Sequence, residues 1–358
     1  MNKMIKPKHE DTTKNIWQVA AGGGERDYSK VFFDYGVMLI GGGWLGDYRK
    51  REDKKNTEEY TTYRDPTNRK FIGQFFEAGI GELVVLKRGL EAIAVGEILG
   101  DYDFKEVFSD VEGFDLRHCR RVKWTKLEEN NIDGLTQVRF CSVKKAYHEV
   151  GRLWEKNKRK GSAQKNLLKI PRNPARVSHK ELVDSLAVNV WGRSNAKRIA
   201  DEIGRLQHLA EWYEDNDNDY DVKEHEARTF LIVPLIMSLG WDEKRVKIEW
   251  KHKDVALFNE HYSKKIEPVI VIESKRLWDG LGDSREQAER YTRQHKACRQ
   301  FVVSDGIRYK LFSKPKHARK FRFSAYLNLR TPTLKHPYER GVKGAVSFLL
   351  KMRSGAAI

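Results

Sequence analysis

Residues 267–277 read EPVIVIESKRL, a run of β-branched side chains that ends in charge. Such a run is a strand, and strand alternation sets Glu273 and Lys275 on one face with Ile272 and Ser274 on the other. Upstream, residues 245–258 (RVKIEWKHKDVALF) read as another strand, and NEHYSKKIEP between the two is long enough to fold back. Pairing these strands would bring Asp254 beside Glu273. An apolar helix, EARTFLIVPLIMSLGW, precedes them. A polar helix (SREQAERYTRQHKA) and two further strands (RQFVVSDG, RYKLFS) follow. This order predicts an α/β sandwich around a central mixed sheet.

Two carboxylates side by side form the hard oxygen site that Mg²⁺ prefers, with Mn²⁺ able to substitute. Such an ion assists attack on a phosphodiester, and Lys275 is placed to orient or help deprotonate the attacking water. The reaction implied is hydrolysis of a nucleic-acid backbone. The triplet alone is a common pattern, because charged and apolar residues alternate on any half-buried strand.

The length of 358 residues suits two domains, and the formal net charge is +17. That excess is concentrated. Between Lys144 and Lys180 twelve basic residues face only Glu149 and Glu155, and between Lys314 and Lys343 nine face only Glu339. Both stretches are interleaved with aromatics, Gly and Pro, as expected of segments that neutralise phosphates. Lys156, Lys158, Arg159, Lys160, Arg319, Lys320 and Arg322 are the candidate backbone contacts. No window approaches the roughly 18 apolar residues of a membrane span, and the start lacks an apolar export signal, so a cytoplasmic location is expected. Cys119, Cys141 and Cys298 are too few and too dispersed for a disulfide framework or a zinc site.

Toward the N-terminus, IWQVAAGGG, VMLIGGGW, ELVVLKRG, AIAVGEILGDY and RRVKWTKL are short strands punctuated by glycine, interrupted by a helix at FIGQFFEAG. They predict a small barrel or sandwich. Neither glycine triplet is followed by G-x-x-x-x-G-K-[ST], so tight turns are expected rather than phosphate cradles, and no nucleotide cofactor. Residues 178–213 repeat apolar positions at helical spacing, with Ser178 as N-cap and Glu181 completing a capping box. The acidic stretch near 214–223 reads as a boundary.

The C-terminal pattern resembles the PD-(D/E)xK nucleases, in particular Mrr-like domains and the N-terminal nuclease domains of type I restriction subunits. The resemblance covers about Lys223 to Phe312. It rests on EHEARTFLIVPLIMSLGWD, on Asp254, on Glu273 and Lys275, on Gln287 and Tyr291 one helical turn apart, and on Ser304-Asp305-Gly306. It implies catalytic roles for Asp254, Glu273, Lys275, Glu224 and Gln287, with Asp254 and Glu273 as metal ligands. Glu226 competes with Glu224 for the helix position.

Residues from Ile16 to Leu127 resemble the PUA-like superfamily, including EVE-type domains, which hold a flipped base in an aromatic pocket. That resemblance implies Trp17, Trp44, Tyr48 and Trp124 as walls and Asp47 as a polar reader. The chain thus divides into a PUA-like recognition domain over 1–145, a basic and helical linker over 146–220 and an endonuclease domain over 221–358. The fold class is α+β and α/β. The implied protein is a Mg²⁺-dependent, modification-dependent restriction endonuclease acting on double-stranded DNA as a homodimer. A type II enzyme reading unmodified sequence and a non-cutting DNA- or RNA-binding module remain alternatives.

Overall fold

A computed structural model describes residues 15–22, 27–43, 46–52, 66–128, 132–143, 147–159, 167–216, 222–277, 280–293, 295–315 and 318–355. The protein is mixed α+β and divides into two compact units. The first takes in Asp65–Phe104 and Arg117–Ile170 together with the elements before residue 57, and the second Lys105–Leu116 and Pro171–Ile358. Among the described residues no helix is long and apolar enough to cross a membrane.

The first unit is a seven-stranded sheet curled into a half-barrel, built from β1 (Ile16–Ala20), β2 (Val37–Ile40), β3 (Leu83–Arg88), β4 (Glu91–Ile98), β5 (Asp103–Phe104), β6 (His118–Lys126) and β7 (Phe140–Ser142). The order is β2-β6-β4-β3-β1-β7, with β5 added on β6. The nine-residue β6 makes the curl, because its first half pairs with β2 and its second half with β4. Gly96 of β4 leaves no room for a side chain at its position: a Cβ there would lie 2.5 Å from Val122 and 2.6 Å from the Trp124 ring. Helices α1 (Ser29–Tyr35), α2 (Arg49–Glu52), α3 (Pro66–Glu77) and α4 (Tyr147–Arg159) complete the unit. Val150, Leu153 and Trp154 on α4 bury against Ile16, Val85 and Val95.

In the second unit, α5 (His179–Leu186) begins with Ser178 and Glu181 in the expected reciprocal cap. A π turn (Ala187–Trp191) joins it to α6 (Gly192–Asp215), and α7 (Glu224–Ala227) runs through a second π turn (Arg228–Ile232) into α8 (Val233–Ser238). The sheet comprises β8 (Val246–Trp250), β9 (Lys253–Leu257), β10 (Ile270–Ser274), β11 (Gln300–Ser304), β12 (Arg308–Ser313) and β13 (Arg322–Asn328), in the order β13-β12-β11-β10-β9-β8. It is mixed, since β10 and β11 are parallel and the other pairs antiparallel. Helix α9 (Gly282–Arg293) makes the crossover between the parallel pair, and α10 (Ala345–Met352) closes the unit. The larger core joins Ile270, Ile272 and Val302 to the helices around α6 and α8. On the alternate positions, Phe301 and Val303 pack with Ala288 of α9.

Four features depart from the sequence reading. Residues 245–258 form two strands, because Lys251 and His252 (φ 46° and 65°) make a two-residue hairpin turn. That geometry favours Asn-Gly and carries no such signal here. The 146–220 stretch is not a separate linker: α4 packs into the first core and α5 and α6 into the second. The boundary lies between Ile170 and Pro171 rather than near 220, since Tyr213 and Val222 share one core. Finally, Lys105–Leu116 belongs to the second unit. Its Asp110 is fully buried against Lys310 at 2.7 Å.

Candidate functional site

The antiparallel register of β9 and β10 sets Val255 against Ile272. One residue further, it sets Asp254 against Glu273. The Glu273 carboxylate is almost wholly enclosed, at 2% exposure. Its Oε1 accepts from Lys275 Nζ at 3.2 Å, while its Oε2 is buried with no hydrogen-bond partner among the described residues. Burial, then the nearby charge of Asp254, push the Glu273 carboxyl up to about 7, although Lys275 acts the other way. Burial alone would lower Lys275, but the Glu273 carboxylate, with Glu224 and Asp254, holds the ammonium above the usual lysine range. That shift favours the charged ammonium of Lys275.

Asp254 is held at both oxygens. Arg228 Nη1 donates to Oδ1 at 2.6 Å, and the Ser274 backbone amide donates to Oδ2 at 2.7 Å. Ser274 also donates its hydroxyl to Glu224 Oε1 at 3.3 Å. The two helix glutamates differ in partner: Glu224 reaches the strand, whereas Glu226 caps its own helix by accepting from the Lys223 amide at 2.9 Å. The π turn that starts at Arg228 widens the helix where the guanidinium leaves it, a local irregularity common at functional sites. Lys275 donates its own amide to Ser304 at 2.8 Å, so the segment after β10 is pinned to the Ser304-Asp305-Gly306 turn. Gly306 takes φ +89°, a left-handed conformation that favours glycine, and packs closely on Ala227 and Leu231.

Glu224, Asp254, Glu273 and Lys275 thus come together. Gln287 lies half-buried on α9, beside Ala288, which packs on the β11 residue paired with Glu273. The side chain of Tyr291 lies outside the described residues. Sequence reading missed the pairing of Arg228 with Asp254, the Ser274 amide, and Glu249, whose Oε1 accepts from Arg228 Nη2 at 3.1 Å. Only the hairpin turn would have revealed Glu249.

Among the described residues, no three His, Cys, Asp or Glu side chains form a metal-holding group. Two carboxylates suffice for Mg²⁺, which keeps several waters and takes further oxygens from a phosphate substrate. The unpartnered, buried Oε2 of Glu273 beside Asp254 fits that donor set.

In the first unit the expected pocket residues separate. Trp124 is a core residue, fully enclosed and donating Nε1 to the Val37 carbonyl at 2.9 Å. Trp17 is also buried, stacked on Phe140 at 5.2 Å and bound to Glu82 through Nε1. Neither presents a face to a base. Trp44 lies outside the described residues. Asp47 and Tyr48 do gather, with partners that the sequence did not single out. The Tyr48 ring lies 4.9 Å from Phe76, and its amide donates to the Tyr102 hydroxyl at 3.1 Å. Tyr102 meets His118 Nδ1 at 2.8 Å, and Nε2 of that ring faces the Gly42 carbonyl. A carbonyl only accepts, so Nε2 carries the proton and Tyr102 donates to Nδ1. Burial acts to raise Asp47, but Arg49, bidentate on its carboxylate, holds it below the usual range.

Residues 17–146 match a domain of unknown function, DUF8426. That stretch carries β1 to β7 of the first unit. No curated protein and no solved structure matches the chain.

Of the candidate backbone contacts, Lys156, Arg319, Lys320 and Arg322 are exposed. Lys158 and Arg159 end α4, with side chains outside the described set, and Lys160 lies outside it altogether. Arg322 opens β13, an edge strand.

Proposed function

We propose that this protein is a Mg²⁺-dependent endodeoxyribonuclease whose second unit is a PD-(D/E)xK nuclease and whose first is a PUA-like module that inspects a base for modification. The observation that carries the proposal is the enclosed Glu273 carboxylate, one oxygen unpartnered, between Asp254 and a charged Lys275. Burying a carboxylate without satisfying it is costly. A cation is the ligand that relieves this cost.

Asp254 and Glu273 would hold Mg²⁺, which when bound lowers the pKa of water and offsets phosphodiester charge. The chain's own groups do the rest. Lys275 orients the attacking water and faces the developing negative charge of the phosphate. Arg228 and the Ser274 amide fix the Asp254 carboxylate, and Glu224, tied to Ser274, limits the cleft on the helix side. Gln287 orders the opposite side from α9. Asp47, Tyr48 and Phe76 present an aromatic and polar surface for stacking and edge recognition of a base. The exposed basic residues would contact the duplex backbone. One such site cuts one strand, so cleavage of both implies a homodimer; we place the enzyme in the cytoplasm.

The test is cleavage of one duplex in plain, methylated and hydroxymethylated forms with Mg²⁺. Preference for a modified form is expected. Preference for the plain duplex would instead make this a type II enzyme, and no cleavage of any form would leave a binding module.

A further inference from the structure

A second carboxylate faces Asp254 from the other side. In the β8–β9 ladder Val246 pairs with Leu257, Lys247 with Ala256, Ile248 with Val255 and Trp250 with Lys253. The same register sets Glu249 opposite Asp254, at the step where the pairing is interrupted. Like charges directly opposed across antiparallel strands repel. Glu249 is also held at φ 53°, in the left-handed region that is strained for a non-glycine residue. Both costs fall where one guanidinium serves both carboxylates. Arg228, itself 8% exposed, sends Nη1 to Asp254 at 2.6 Å and Nη2 to Glu249 at 3.1 Å.

A guanidinium beside one carboxylate closes a two-pronged pair on it. Glu249 prevents that by engaging the second prong. Asp254 then keeps lone pairs beyond the two used by Arg228 and the Ser274 amide. We propose that Glu249 is a positioning residue, which shares Arg228 with Asp254 and so keeps the Asp254 carboxylate open to a divalent cation. The inference rests on the cation reading above and adds to it a residue that touches neither cation nor substrate.

The test is Mn²⁺ binding to the full chain without DNA, followed by titration calorimetry alongside a thermal melt. Glu249→Gln is expected to weaken Mn²⁺ binding by about five- to tenfold, the scale of coupling between groups that share a partner. In an Arg228→Met background the same change is expected to have no further effect. Arg228→Gln is the alternative background if the methionine variant melts below the wild type. Unchanged affinity in Glu249→Gln overturns the inference. So does an equal loss in the Arg228 background, since Glu249 would then act on the cation itself. A wild-type chain that takes up no Mn²⁺ overturns the cation reading, and that outcome is seen before any variant is compared.

Discussion

Asp254 and Glu273 oppose each other across β9 and β10, one fixed by Arg228 and a backbone amide, the other buried with a free oxygen. The asymmetry divides their labour. Asp254 has a donor on each oxygen, while Glu273 has Lys275 on one oxygen only and holds its proton more tightly than an ordinary glutamate.

That shift makes stability depend on pH. The Glu273 carboxyl is raised from 4.5 to about 7, so between those values the folded chain binds more protons than the unfolded one. Its contribution to stability is full below about pH 4.5 and is lost as pH rises through 7. Glu273→Gln removes the loss. We expect the variant to melt above the wild type at pH 8 without metal, and the gap to close at pH 5 and below. Equal melting temperatures at pH 8 would show that the carboxylate is not strained.

The two aromatic groups of the first unit differ in kind. Trp124→Ala empties a fully enclosed site and should cost about 3–5 kcal/mol in chemical denaturation. Tyr48→Ala lies at a half-buried surface, and should leave stability nearly unchanged while lowering preference for modified over plain duplex. If Tyr48→Ala retained full preference in a competition assay, the base would be read elsewhere.

Much of this arrangement was legible in the chain. The β-branched run into Glu273, the return to Asp254 and the capping box at Ser178 all follow from local periodicity and register. Glu249 was hidden because Lys251 and His252 adopt left-handed conformations without the usual Asn or Gly, so the hairpin looked like one strand. Trp17 and Trp124 looked like pocket walls because composition does not distinguish an aromatic in a core from one at a mouth. Asp110 was hidden for another reason. Its partners lie about two hundred residues away in sequence, beyond any periodic signal.

Asp110 sits fully buried between Lys310 and His336, and burial, which would raise its carboxyl, is overcome by Lys310, leaving it far below the usual range. Removing one partner of a buried pair strands the other charge. Asp110→Ala should therefore cost about 3–5 kcal/mol in denaturant unfolding of the second unit. A loss below about 1 kcal/mol would mean that water already compensates Lys310.

Arg319, Lys320 and Arg322 are exposed and, on the proposed reading, would contact up to three phosphates. Replacing all three with Ala should lower the slope of log affinity against log salt by about 2 to 3, alike for plain and modified duplex. An unchanged slope in a binding titration would place the backbone contacts elsewhere.

The most direct measurement is conversion of a supercoiled plasmid carrying modified bases, incubated with Mg²⁺ and either the wild-type chain or Glu273→Ala. The account predicts nicked and linear product with the wild type, none with the variant or with chelator, and binding of the plasmid by both. Intact plasmid with the wild type on every substrate, or equal cleavage by Glu273→Ala, would contradict it.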